Sequence, residues 1–98
     1  MHLGDLYLKQ HQYQLAINAY GKSLSINANN WVTLNNLGVA YMNVGNFKSA
    51  VDCLKKALPF KILDRNAWNN LILAHRGMGN SQEAEMIKKK AQEFGIIV

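Results

Sequence analysis

Residues 34–46 read Leu34-Asn35-Asn36-Leu37-Gly38-Val39-Ala40-Tyr41-Met42-Asn43-Val44-Gly45-Asn46. Leu34, Leu37, Gly38, Tyr41 and Val44 recur at three- and four-residue steps, which is the spacing of one face of an α-helix. Gly45-Asn46 then interrupts the chain. A second helical stripe follows in Phe47, Ala50, Val51, Leu54, Ala57 and Leu58. The stretch is therefore the first arm and the turn of a helical hairpin.

The same phrase returns on both sides. Thirty-four residues later, Trp68-Asn69-Asn70-Leu71 repeats Leu34-Asn35-Asn36-Leu37, and Gly79-Asn80 repeats Gly45-Asn46. Thirty-four residues earlier, Leu3-Gly4 and Tyr7 match Leu37-Gly38 and Tyr41. Ala16, Ala50 and Ala84 keep the same step, as do the small residues Ser23, Ala57 and Ala91. One hairpin cannot bury both of its apolar stripes, so the units must stack on one another. Glycine inside a helix costs about 1 kcal/mol relative to alanine, so Gly38 marks a place where two helices come close. Helices are predicted near residues 2–10, 13–27, 31–44, 47–58, 65–78 and 81–94.

A 34-residue helix–turn–helix unit with this alternation of small and large residues resembles the tetratricopeptide repeat. The resemblance covers the whole chain as a single domain, 1–98. It divides into an N-terminally shortened unit (1–30), a full unit (31–64) and a last unit that reads as a cap (65–98). The implied fold is all-α, a right-handed stack of three antiparallel helical hairpins. The sequence opens inside a first helix, about ten residues before the His11-Gln12 break, so further repeats are expected upstream. At the other end Glu85, Lys88 and Gln92 replace the apolar residues of earlier units, as a capping helix requires. The apolar tail Gly95-Ile96-Ile97-Val98 is expected to fold back on the last helix. The family's usual proline near the end of the second helix is missing. Pro59 stands earlier and should end or kink the helix near Leu58.

Composition narrows the function. Half of the residues are hydrophobic (49%) and 17% are charged, so the chain has the means to build a core. No apolar run approaches the roughly 18 residues needed to span a bilayer, and the start lacks the pattern of a signal peptide. A single cysteine, Cys53, makes a reducing cytoplasm the default setting. Lys55 and Lys56 beside it are expected to lower its pKa slightly, without making it a nucleophile. His2, His11 and His75 are scattered, and no Cys/His spacing suits a metal. His75 reads as a packing residue. Gly77-Met78-Gly79-Asn80 lacks the lysine of a phosphate loop. No catalytic constellation, cofactor or metal is expected, so the chain reads as a binding protein and not an enzyme.

The candidate ligand surface lies opposite the core stripe. A step of 100° per residue puts Val32, Asn36, Val39 and Asn43 there on one unit, and Asn66, Asn70, Leu73 and Gly77 on the next. Asn35, Met42, Asn69 and Arg76 flank them, with Asp5 and Lys9 from the first unit. The resemblance implies that first helices line a concave groove, which makes Asn35, Asn36, Val39, Asn43, Asn69, Asn70, Leu73 and Arg76 the candidate peptide-binding residues. Asparagine is a poor helix former, yet its amide can both donate to and accept from a peptide backbone. Family members that grip a chaperone's C-terminal carboxylate need lysine and arginine beside such asparagines. Asn36 fits that pattern, but Asn66, Asn70 and Asp5 replace its other members. Lys22, Lys56 and Lys90 form a separate ladder on the second helices, with Lys55 and Lys89 beside it. It reads as a solvated face, with an acidic docking site as the alternative. The expected function is a protein-interaction scaffold that binds a protein or peptide. The alternative is self-association into a homo-oligomer. Single-stranded RNA binding is a third reading, disfavoured by the strict 34-residue step and the few exposed aromatics. No membrane partner is expected.

Overall fold

A computed structural model describes residues 3–98. The described residues form six α-helices and no strand: α1 (Leu3–Lys9), α2 (Tyr13–Ile26), α3 (Trp31–Asn43), α4 (Phe47–Ala57), α5 (Arg65–Gly77) and α6 (Ser81–Glu93). They pair as three antiparallel hairpins, and each predicted helix is present to within about two residues at either end. The expectation that a helix starts at His2 lies outside the described residues.

Side-chain caps set three of the starts. Asn30 Oδ1 accepts from the amides of Val32 and Thr33 and opens α3. Asn46 Oδ1 accepts from the amide of Ser49 and opens α4. Asp64 Oδ1 accepts from the amide of Asn66 at 2.9 Å and opens α5. Each satisfies donors that the first helical turn leaves free.

The three hairpin turns are copies of one geometry. The amides of Gln12, Asn46 and Asn80 donate to the carbonyls of Tyr7, Tyr41 and His75, each at 2.9 Å. This closure needs a left-handed residue just before the donor. Gly45 and Gly79 supply it with φ of +81° and +78°. In the first turn the position is His11, at φ +59°. Its ring Nδ1 lies 2.6 Å from the Tyr13 hydroxyl.

α4 stops at Ala57, and a 3₁₀ turn over Leu58–Lys61 carries Pro59 in its first positions. Proline lacks the N–H that the next helical bond needs, so the α-helix ends where the sequence predicts. The 3₁₀ turn leads the chain into Ile62, whose carbonyl accepts the Trp68 indole N–H at 2.6 Å.

Packing follows the repeat. Ala16, Ala50 and Ala84 are at most 1% exposed and sit where the second helix of each hairpin touches the first. Tyr20, Leu37 and Ala40 gather in one core cluster, with Tyr7, Leu24, Tyr41 and Cys53 against it. Val51, Leu54, Leu71 and Ala74 form the next, with Met42, Leu58 and Ile87 against it. Tyr41 touches both clusters and joins the hairpins. Burying each such side chain contributes about 1.5–3 kcal/mol. Trp68, 1% exposed, fills the third hairpin, where Phe94 packs beside it at 5.7 Å between ring centroids.

Two expectations change. Val44 was assigned to the core stripe but is 46% exposed, because α3 ends at Asn43 and Val44 is its C-cap. Gly77 was placed on the ligand side opposite the core. Although exposed to solvent, it backs directly on the Phe47 ring, so a β-carbon there would collide with it. In the tail, the Ile96 amide donates to the Ala91 carbonyl at 3.0 Å across Gly95, itself at φ +80°, and so ties this residue to the end of α6. Ile97 stays 84% exposed. No described helix is long and apolar enough to cross a membrane.

Candidate functional site

The first helices of the hairpins, α1, α3 and α5, lie side by side, and asparagines join them. Asn36 on α3 donates from Nδ2 to Asp5 Oδ1 on α1 at 3.2 Å. The same carboxylate oxygen accepts the Tyr20 hydroxyl at 2.5 Å. One repeat later, Asn70 on α5 donates from Nδ2 to Asn35 Oδ1 on α3 at 3.5 Å. Asn36 and Asn70 are equivalent in the repeat but find different acceptors. The first unit offers Asp5 where the second offers Val39, so Asn70 turns to Asn35 instead.

The partners of these amides are side chains of the neighbouring first helix rather than the backbone. Asp5, Asn35, Asn36 and Asn70 are all half-buried. The Asp5 site also acts on Tyr20. Burial, reinforced by the hydrogen bond and the negative charge of Asp5, holds the Tyr20 phenol well above its ordinary pKa near 10.

The other candidates occupy the same surface with different degrees of freedom. Val39 is half-buried, and Asn43 is exposed with its Nδ2 donating to the Val39 carbonyl at 2.9 Å. On α5, Asn69, Leu73 and Arg76 are exposed, and Leu73 shows 44% of its surface. Their counterparts on α3 (Asn35, Val39 and Met42) are half-buried because α5 packs alongside. Arg76 reaches across to Glu85 at 3.9 Å, a loose surface pair worth at most about 1 kcal/mol. The structure thus brings Asn35 next to Asn70, separates Asn36 into the Asp5–Tyr20 contact, and leaves Asn69, Leu73 and Arg76 exposed on α5.

Two features escaped the sequence reading. The Lys61 ammonium sits 4.9 Å from the centre of the Trp31 ring, a cation–π contact that fastens the 3₁₀ turn to the start of α3. Helical periodicity carries no signal for it, because Lys61 lies in an irregular segment. Asp5 as an acceptor shared by two side chains was also unforeseen. At Cys53, burial pushes the thiol pKa up and outweighs the opposing effect of Lys56, which reverses the expected direction. His75 is buried, at 8% exposure, and its Nδ1 has no hydrogen-bond partner.

This geometry can be set beside known proteins. A family model described as TPR repeat matches residues 4–45, and a second, described as tetratricopeptide repeat, matches residues 31–60. Together they span more than half of the chain. The chain belongs to the tetratricopeptide-repeat family. Among solved structures it is similar to MamA AMB-1 (32% identity, TM-score 0.84, covering 93% of this chain and 54% of that one). It is also similar to MamA MSR-1 (32% identity, TM-score 0.84, 93% and 52%). A further MamA crystal structure is 27% identical with a TM-score of 0.86, over 93% and 50%. This tetratricopeptide-repeat chain therefore spans about half the length of the MamA chains it matches. No curated protein matches it in sequence.

Tetratricopeptide repeats mediate protein interactions in general. Among the described residues no group of three His, Cys, Asp or Glu side chains could hold a metal ion.

Proposed function

We propose that this tetratricopeptide-repeat chain is an interaction scaffold that binds an extended peptide or protein segment along α3 and α5, without catalysis and in a reducing cytoplasm. The observation that carries the reading is the Asn35–Asn70 pair. Two amides on successive first helices meet at 3.5 Å, and their mutual bond uses one N–H of Asn70 and one lone pair of Asn35. The remaining donors and acceptors of both amides are free to clamp a peptide unit's C=O and N–H. Val39 and Leu73 offer apolar contacts on either side, and Asn69 and Asn43 extend the polar row. Arg76 can exchange its weak partner Glu85 for a ligand carboxylate. Asn36 supports the site indirectly, by fixing α3 to α1.

A partner recovered by pull-down and identified by mass spectrometry is the probe, titrated by calorimetry. Asn35→Ala and Asn70→Ala should each weaken it by about 1 kcal/mol or more, since the peptide loses hydrogen bonds that it had exchanged for water. Lys22→Glu and Lys56→Glu should matter far less. Normal binding by the asparagine variants with loss in the lysine variants would refute the assignment.

A second reading, self-association, is favoured by Leu3 and Leu6, which α1 leaves 57% and 39% exposed. Sedimentation velocity over a concentration series tests it. A mass that stays monomeric throughout sinks it.

A further inference from the structure

On the side of the second helices, a cleft of about 550 Å³ opens between α4 with its 3₁₀ extension and α6, and α5 forms its floor. It lies away from the asparagine row. Leu58 and Ile62 line one wall, Ile87 and Phe94 the other, and Leu71 and His75 the floor. The volume is in the range of a ligand site rather than of a packing void.

Charge indicates what the cleft accepts. His75, in the floor, is more than nine-tenths buried. Lys55 on α4 and Lys90 on α6 stand exposed on opposite rims. The chain carries a net charge of +5. The sole acid bordering the cleft is Glu83, at the end where His75 also borders the α5–α6 turn. An apolar trough between two cationic rims complements an apolar stripe flanked by carboxylates. That is the pattern of an acidic amphipathic helix laid into a groove.

We propose that the α4–α6 cleft is a second docking site, which binds an acidic amphipathic helix of a partner protein with its apolar face on Leu58, Ile62 and Ile87 and its carboxylates on Lys55 and Lys90. The site is independent of the asparagine row, and one chain can hold two partners on opposite sides.

The test is a selection from a phage-displayed library of peptides about 14 residues long, which as a helix span roughly the 20 Å of α6. The peptides expected to emerge have apolar residues at i, i+3 or i+4, and i+7, with flanking Asp or Glu. Their binding, measured by fluorescence anisotropy, should fall about tenfold for the Lys55→Glu/Lys90→Glu double variant. It should also fall for Met86→Glu, an exposed position on the same wall. Asn69→Ala and Asn70→Ala should leave it unchanged. Circular dichroism melts confirm that each surface variant is folded. In two-dimensional NMR the Trp68 indole N–H, beneath the cleft, should shift on binding. The proposal is overturned if nothing saturable is selected, if the selected peptides are neutral or basic, or if the lysine reversal leaves their affinity intact.

Discussion

Gly38 faces Leu54 so closely that a β-carbon on Gly38 would lie 2.7 Å from Leu54 Cγ and 3.4 Å from the Ala50 carbonyl oxygen. The contact is where α3 crosses α4. Leu54 is 2% exposed and enclosed by its cluster, so it cannot swing away. Gly38→Ala gains up to about 1 kcal/mol of helix propensity. Overpacking should nevertheless dominate, with a net loss of roughly 1–3 kcal/mol, and Gly38→Leu should lose more. Gly21, inside α2 with nothing near its missing side chain, supplies the opposite case. Gly21→Ala should stabilise the chain by up to about 1 kcal/mol. Urea melts of both alanine variants decide the matter, and equal shifts would show that Gly38 is not at a helix contact.

The raised pKa of Tyr20 gives stability a pH dependence. In the unfolded chain the phenol ionises near pH 10, whereas in the folded chain it holds its proton to higher pH. Its contribution is therefore complete below pH 10 and is lost as pH climbs above that value. Melting temperature should fall through this alkaline range in the native chain and fall less in Tyr20→Phe. At neutral pH the same variant should be the less stable one, since Asp5 loses a buried partner at a cost of about 1–3 kcal/mol.

From helix propensity alone, Asn36→Ala and Asn70→Ala should be neutral or mildly stabilising. The contacts separate them. Asn36 closes a charge-assisted bond to Asp5 at 3.2 Å, and Asn70 makes a long one to Asn35 at 3.5 Å. Asn36→Ala should cost about 1 kcal/mol or more, and Asn70→Ala should stay near zero. Parallel chemical denaturation of the two variants tests this order. Equal stabilities would mean that the Asp5 bond contributes nothing.

His11 is the one non-glycine residue with positive φ among those described. The left-handed conformation costs a residue with a β-carbon roughly 1–2 kcal/mol. His11→Gly makes the first turn like the other two and should stabilise the chain by about 1 kcal/mol, less the exposed contact with Tyr13. A lower melting temperature in this variant would show that the Tyr13 contact outweighs the strain.

The sequence by itself determined the repeat, its three hairpins and most of the core. Each of these is a matter of spacing. Ala50 and Leu54 lie one helical turn apart, and Ala50 recurs at 34 residues as Ala16 and Ala84, all of them buried as the spacing implies. Gly45 and Gly79 announced their turns because only glycine occupies that conformation cheaply, and Pro59 announced the end of α4 because it has no N–H to give. Distance across the stack was another matter. The bond from Asn36 to Asp5 spans 31 positions, and that from Asn70 to Asn35 spans 35, so the same repeated asparagine meets different partners. The exposure of Leu73 depends on what lies beside α5, and the cleft on how far α6 stands from α4. The direction of the Cys53 pKa shift was decided by burial, which a list of neighbouring lysines does not contain. Periodicity fixes which face of a helix turns inward; only the packed stack fixes what that face, and the face behind it, will meet.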